Sequence, residues 1–262
     1  MKNYALIIEY HGKNYSGWQR QSHVISVQGC LEKALSSIAN APVEVVCAGR
    51  TDAGVHATAQ VVSFKTHALR DINAWYMGVN SLLPKDIKVI DVYEVDENFH
   101  ARFSAVYRRY NYVIYQQKGN SALWDEHSTW VPFALDIKAM NEACYALLGE
   151  QDFSAFRSSQ CQSHSVYRNI HHACFTQFGQ FIIFDIQGNA FLHHMVRNIV
   201  GSMLEIGQHI KPVDWIKTLL QGKDRTQAGK TAPAQGLYLV EINYPDKFGV
   251  KAKRQWREFF QP

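Results

Sequence analysis

Residues 4–10 read Tyr-Ala-Leu-Ile-Ile-Glu-Tyr, and residues 27–38 read Val-Gln-Gly-Cys-Leu-Glu-Lys-Ala-Leu-Ser-Ser-Ile. The first stretch is dense in apolar and β-branched residues, which predicts a strand. In the second stretch apolar residues recur at helical spacing behind Ser26, which predicts a helix with a serine cap. A strand followed by such a helix opens a β-α-β unit, so these two stretches set the start of the fold.

The following residues complete this β-α-β-β-α-β unit, and the second half of the chain repeats it. Strands are predicted over 43–47, 60–64 and 87–95, with a helix over 71–82 that Pro84 stops. The second half repeats the β-α-β-β-α-β order from residue 107 to residue 243. We therefore predict an α+β fold of two tandem ferredoxin-like halves, 1–104 and 105–245, followed by a surface tail, 246–262. A central cleft between the halves is the expected place for a site.

The composition is that of an ordinary globular protein, with 47% hydrophobic and 19% charged residues. The net charge of +4 is compatible with a nucleic-acid partner but is weak evidence by itself. No apolar stretch predicts a membrane span, and the first residues do not resemble a signal peptide, so a cytoplasmic location is expected. The five cysteines include no CxxC pair, which argues against a disulfide framework.

Three polar stretches do not look like simple packing. The first, residues 49–57, reads Gly-Arg-Thr-Asp-Ala-Gly-Val-His-Ala and lies between two predicted strands. Such a loop can hold the Asp52 carboxylate rigidly at the end of a sheet. A plain turn with an Asx hydrogen bond, made by the Asp52 side chain, is the alternative interpretation.

The second stretch, residues 102–112, mixes three arginines with three tyrosines and a phenylalanine. Because side chains alternate along a strand, Arg108, Tyr110 and Tyr112 share one face. A guanidinium beside aromatic rings suits phosphate contact and base stacking in RNA. The alternative is a tyrosine-rich strand whose arginines simply face solvent.

The third stretch, residues 189–198, reads Asn-Ala-Phe-Leu-His-His-Met-Val-Arg-Asn at the predicted start of a helix over 191–206. Arg197 accompanies apolar residues of that helix, and a buried arginine usually needs a carboxylate partner. Asp52 is one candidate partner, and an exposed Arg197 is the alternative.

Metal and nucleotide sites have little support in the sequence. Cys161, His164, His171, His172 and Cys174 are of the right types for zinc. Neighbouring residues of a strand point to opposite faces, however, so we expect no metal site there. No GxGxxG and no GxxxxGK[ST] motif occurs, so nucleotide-cofactor binding has no motif to support it.

Taken together, several blocks closely resemble the bacterial tRNA pseudouridine synthase A family over nearly the whole chain. The first blocks are Tyr-His-Gly-Lys-Asn-Tyr-Ser-Gly-Trp-Gln-Arg-Gln at 10–21, Cys-Ala-Gly-Arg-Thr-Asp-Ala-Gly-Val-His at 47–56 and Phe-His-Ala-Arg-Phe-Ser at 99–104. The others are 108–110, Asp-Phe-Ser-Ala-Phe-Arg at 152–157, 189–198 and 236–239. Their order and spacing are more specific than any one block.

The resemblance implies a function and a set of residues. It implies the pseudouridine synthase fold, homodimers, and isomerisation of uridines 38–40 in the anticodon stem-loop of tRNA, without a metal or an organic cofactor. It implies that Asp52 is catalytic, that Tyr110 lies against the target base and that Arg197 pairs with Asp52. Arg50 matches an arginine implicated in turning the target nucleotide out of the stem.

Two other classes of function account for part of the sequence. A non-catalytic RNA-binding module would explain the strand of arginines and tyrosines, but it does not need the loop around Asp52. A metal-dependent hydrolase would use the histidine pairs. Product formation that depends on Asp52 would exclude a non-catalytic RNA-binding module. A metal assay on purified protein would distinguish the metal-dependent hydrolase.

Overall fold

A computed structural model describes residues 1–254 of the chain. It divides into two units, the first made of residues 1–108 and the segment from 238 onward, and the second of residues 109–237. Residues 255–262 of the predicted tail, Arg257 among them, lie outside the described residues. No helix between residues 1 and 254 has the length and apolar character needed to cross a membrane.

The strands and helices within the described residues follow the predicted α+β order. The strands are β1 Lys2–Tyr10, β2 Val46–Cys47, β3 His56–Thr66, β4 Ile87–Val95, β5 Tyr107–Gln116, β6 Thr129–Val131, β7 Gly149–Asp152, β8 Tyr167–Phe178, β9 Phe181–Gly188, β10 Leu237–Asn243 and β11 Ala252–Lys253. The α-helices are α1 Val27–Ala39, α2 Val79–Leu82, α3 Ile137–Cys144, α4 Met195–Gly207 and α5 Trp215–Gly222. The prediction of an α+β class is confirmed.

The sheet of the first unit has the strand order β4-β1-β3-β2, and each neighbouring pair is antiparallel. This is the arrangement of a ferredoxin-like β-α-β-β-α-β unit. The predicted strand over 43–47 shrinks to the two residues of β2, which pair only with Ser63 and Val62 of β3. In this antiparallel register β2 lies beside the second half of β3, and the start of β3 pairs with another strand along the same edge.

That partner is β10, which pairs in parallel with His56 and Ala57 at the start of β3. The sequence placed this strand at the end of the second half, 105–245. In the structure, residues from 238 onward are grouped with the first unit instead. The physical reason is that the chain leaves this edge of the sheet after Ala48, whose amide bonds the Val61 carbonyl. The backbone groups of His56 and Ala57 are therefore satisfied by a different strand.

The two helices of the first unit can be compared with their sequence predictions. Ser26 accepts a hydrogen bond from the Gly29 amide at 3.2 Å, so the predicted serine cap of α1 is confirmed. The helix predicted over 71–82 is less regular, since a π-helical turn, Ala74–Gly78, precedes α2. This turn carries Trp75, which is fully buried and packs against the rings of both Tyr4 and Phe64.

The second unit has the strand order β5-β9-β8-β7, with β6 parallel to β5. Strands β8 and β9 form an antiparallel hairpin, as predicted, and Gly179 in its turn has a φ of +57°. Helix α4 begins at Met195, four residues later than predicted. The reason is His194, which has a φ of +63° and therefore cannot belong to a right-handed helix.

Candidate functional site

The loop that carries Asp52 connects β2 to β3 in the first unit. Asp52 is half-buried and Arg50 is exposed. The Asp52 carbonyl accepts a hydrogen bond from the Val55 amide at 3.2 Å, and Gly54 between them has a φ of +79°. The loop therefore turns through backbone groups at residues 52–55, and this bond is not the side-chain hydrogen bond of the alternative interpretation.

The loop is tied to the sheet by Gln60, which is fully buried in β3. The Gln60 side-chain amide donates to the Gly49 carbonyl at 2.5 Å, and its oxygen accepts from the Gly49 amide at 3.3 Å. A second tie joins the hydroxyls of Tyr10 and Thr51, which are buried and 2.7 Å apart. Since buried polar groups are costly to leave unpaired, these bonds restrict the loop to one course.

A segment from the first block of the family resemblance lies against this loop. The Trp18 amide donates to the Thr51 carbonyl at 3.0 Å. Gly17 has a φ of +91°, and a Cβ atom at this position would lie 2.8 Å from the Thr51 oxygen. At Gly12, a Cβ atom would lie 2.0 Å from the Val55 oxygen. Residues 10–18 therefore pack directly against residues 49–55, and this close packing explains the glycines at 12 and 17.

Arg108 supports the same loop from another side. Its Nε and Nη2 atoms donate to the Ala48 carbonyl at 3.2 and 3.0 Å, and Nη2 also reaches the Arg102 carbonyl at 2.6 Å. The sequence suggested that Arg108 and Tyr112 face RNA. The structure corrects both assignments, because these Arg108 donors serve backbone carbonyls and Tyr112 is completely buried.

Arg20 also has carboxylate partners. Its guanidinium contacts the buried Glu32 carboxylate at 2.7 Å and the Glu44 carboxylate at 3.2 Å. Its ion pairs in the first unit favour a structural role.

Cys47 precedes the loop, and its chemistry can be compared with that of Asp52. Burial raises the pKa of the Cys47 thiol to about 12, although the nearby Arg50, Arg102 and Arg108 act in the opposite direction. A neutral thiol is a poor nucleophile. The half-buried carboxylate of Asp52 is therefore the better candidate in this loop for attack or proton transfer.

Tyr110 lies in β5 and belongs to the second unit. Its side chain is 7% exposed, and its ring meets that of Phe191 edge to face, with centroids 5.1 Å apart. Phe191 comes from the third polar stretch of the sequence. The structure thus brings the second and third stretches together within one unit.

Arg197 is in the first turn of α4, also in the second unit. Its Nε atom donates to the Ala232 carbonyl at 2.8 Å, and the Ala232 amide donates to the Arg197 carbonyl at 3.1 Å. This segment passes very close to α4, since a Cβ atom at Gly201 would lie 1.7 Å from the Lys230 oxygen. The close approach and the paired bonds fix the position of the guanidinium.

The four residues named from the sequence thus fall in two units, with Asp52 and Arg50 in the first and Tyr110 and Arg197 in the second. Sequence reasoning missed the residues that hold the Asp52 loop, chiefly Gln60 and Tyr10. Tyr10 begins a block quoted for the family resemblance, and this was a usable signal. Gln60 carried none, because a glutamine inside an apolar strand does not reveal its partner.

Comparison with known proteins identifies a family. A family model described as tRNA pseudouridine synthase matches residues 6–104 and 143–245. Two proteins named tRNA pseudouridine synthase A, from Francisella tularensis subsp. holarctica strain OSU18 and from Francisella philomiragia, are 58% and 56% identical to this chain. Each alignment covers 246 residues, which is 94% of this chain and 95% of the relative.

Among solved structures, a chain in the crystal structure of a Cbf5-Nop10-Gar1 complex is similar to this chain. The alignment covers 90% of this chain and 57% of the chain in the complex. The sequence identity is 10% and the TM-score is 0.34, which is too distant to support a conclusion.

The contacts of Gln60 predict a specific loss of stability. In Gln60→Met the amide and carbonyl of Gly49 lose their partner, and we expect the free energy of unfolding to fall by about 2–4 kcal/mol. Urea denaturation measures this change, and hydrogen exchange should speed up at residues 49–54. The control is Gln177→Met, because Gln177 is exposed and bonds only the Gly179 carbonyl; it should change stability by less than about 0.5 kcal/mol. Equal stability of the two variants would contradict the role of Gln60.

Proposed function

Because the chain belongs to the tRNA pseudouridine synthase family, we propose that Asp52 is the carboxylate with which it isomerises uridine to pseudouridine in transfer RNA. The observation that carries this proposal is the construction of the loop. Gln60 and the Trp18 amide hold its backbone, and the Tyr10 hydroxyl bonds the Thr51 hydroxyl, while the Asp52 side chain is left half-buried. A plain surface turn does not need this much support from buried groups.

The reaction explains why one carboxylate suffices as the central group. The C1′–N1 glycosidic bond breaks, the uracil turns, C5 bonds to C1′, the C5 proton leaves, and N1 takes up a proton. No electron, hydride or group donor enters this balance. A carboxylate can attack C1′, add to C6 of the base, or remove the C2′ proton, and each route requires Asp52 to be ionised beside the bound nucleotide.

The proposed substrate is the anticodon stem-loop of transfer RNA, at uridines 38–40. This assignment rests on the sequence resemblance stated above. A paired base must leave its stack before a protein can reach C1′, and this costs a few kcal/mol. The cost is lower for bases next to a loop, which is compatible with targets at this end of the stem.

Three further residues have proposed roles. Arg197 is the proposed ion-pair partner of the Asp52 carboxylate, and its bond to the Ala232 carbonyl supports a fixed orientation of the guanidinium. Tyr110 stacks on the target base, supported by its rigid packing against Phe191. Arg50 helps to turn the nucleotide out of the stem, which fits its exposure on the Asp52 loop.

Tritium release from a tRNA transcript labelled at uracil C5 tests the function of Asp52. We expect Asp52→Asn to lower the rate by at least about a thousandfold, because the amide cannot replace an anionic nucleophile or base. Glu97→Gln is the matched control, since it removes the same charge from an exposed position of the first unit, and it should react like the wild type. Uridine-to-cytidine changes at positions 38–40 should abolish release if these are the targets. Full activity of Asp52→Asn would overturn the catalytic assignment.

The same assay separates the other roles through kcat and KM. Arg197→Lys should lose most of kcat with little change in tRNA affinity, because lysine keeps the charge but lacks the planar guanidinium. Tyr110→Ala should lose about ten- to a hundredfold in kcat/KM, and Tyr110→Phe should keep most activity through stacking. Arg50→Ala should lower kcat without lowering the melting temperature. A near-normal kcat in Arg197→Lys would contradict pairing through an oriented guanidinium.

We further propose that the enzyme is a homodimer and, because its substrate is found there, that it acts in the cytoplasm. Both proposals rest on the family resemblance. Sedimentation equilibrium at micromolar concentration should give twice the 30.0 kDa mass of one chain. A mass of one chain under conditions of full activity would contradict the dimer.

A further inference from the structure

A cluster of three metal-ligating side chains lies on the hairpin of β8 and β9 in the second unit. Cys174 and Asp185 are direct cross-strand partners in the register of the two strands. His172 lies two residues before Cys174 in β8, and such residues share one face of a strand. Adjacent strand residues such as His171 and His172 point to opposite faces, which is why no zinc site was expected from the sequence. His172 and Cys174 are two positions apart and share a face, and Asp185 comes from the neighbouring strand.

The ligand atoms of these residues converge. The Cys174 Sγ atom lies 3.2 Å from His172 Nε2, and the nearer Asp185 oxygen, Oδ2, lies 3.7 Å from the same nitrogen. All three ligand atoms lie within 4.8 Å of one another. Zinc bonds of about 2.0–2.3 Å in tetrahedral geometry place neighbouring ligand atoms roughly 3.3–3.6 Å apart. The two distances from His172 Nε2 are therefore close to those of a zinc site.

The geometry distinguishes a metal site from a nucleophilic triad. In a triad, the histidine meets the nucleophile through one ring nitrogen and the orienting carboxylate through the other. Here the thiol and the carboxylate both approach Nε2 of His172. A thiol and a carboxylate directed at the same ring nitrogen match a shared cation better than a proton relay.

The surroundings hold the carboxylate in place. Arg109 donates through Nε to Asp185 Oδ1 at 2.7 Å and through Nη2 to Oδ2 at 2.5 Å, and Asn111 donates to Oδ1 at 3.2 Å. Metal-ligating carboxylates are usually oriented by such hydrogen bonds. Because Arg109 shares Oδ2 and its charge repels a cation, the site binds metal less tightly than one made of thiolates alone. The His172 side chain is 43% exposed, which gives an ion access from solvent.

We propose that His172, Cys174 and Asp185 bind a zinc ion, with water as the fourth ligand. The imidazole, thiolate and carboxylate set suits this borderline-soft ion better than Mg²⁺ or Ca²⁺, which prefer oxygen ligands. Binding requires the Cys174 thiol to lose its proton, which passes to solvent. The site is separate from the residues proposed for uridine isomerisation, so its test does not depend on enzyme activity.

The test uses the full chain stripped of metal with a chelator and titrated with Co²⁺ alone. We expect one equivalent to bind with a thiolate-to-cobalt charge-transfer band, and one equivalent of Zn²⁺ to abolish the band. Competition with a coloured zinc indicator gives the affinity. Zinc should also raise the melting temperature, because it binds the folded state.

Variants locate the site. Cys174→Ser should abolish the charge-transfer band, and His172→Ala should weaken zinc binding by about tenfold or more. His171→Ala is the matched control, because it removes the neighbouring imidazole that is not part of the cluster. Circular dichroism confirms that each variant is folded. Absence of the band in the wild type, its persistence in Cys174→Ser, or an equal loss in His171→Ala and His172→Ala would overturn the proposal.

Discussion

The hydrogen bonds between Gln60 and Gly49 are the constraint on which the candidate carboxylate depends. Gln60 is fully buried, and it satisfies both backbone groups of the residue with which the Asp52 loop begins. Leaving either group unpaired costs about 1–3 kcal/mol. The loop consequently has no alternative course of similar energy, and the glycines at 12 and 17 allow the neighbouring segment to lie against it.

In the second unit, hydrogen bonds to a distant segment likewise hold a candidate residue, which here lies on helix α4. Arg197 is positioned by bonds between its own residue and Ala232, where a neighbouring segment lies so close to α4 that only glycine fits at 201. In both units a candidate residue lies on a backbone that a distant part of the chain holds in place. Such support from a second layer of residues is what keeps a reactive group in one orientation.

The proposed zinc ligands also depend on residues that are distant in sequence, here through the pairing of β8 with β9. Cross-strand register places Cys174 beside Asp185, and the two-residue period of β8 adds His172 to the same face. The sequence shows the histidine and the cysteine but gives no sign of the aspartate, because it comes from the next strand. A chemical cluster of this kind is created by strand pairing and not by a motif.

The sequence by itself determined the order of strands and helices, the cap at Ser26, the loop around Asp52 and the family. These depend on periodicity and on motifs within short stretches of the chain. Only the tertiary structure decided that Arg108 and Arg20 serve structural partners, that Tyr112 is buried, and that β10 completes the edge of β3. The physical reason is that an arginine or a tyrosine looks the same in the local sequence whether it contacts RNA, forms an ion pair or packs in the core. Its partner, often more than fifty residues away as Ala48 is from Arg108, is set by how the strands pair and pack.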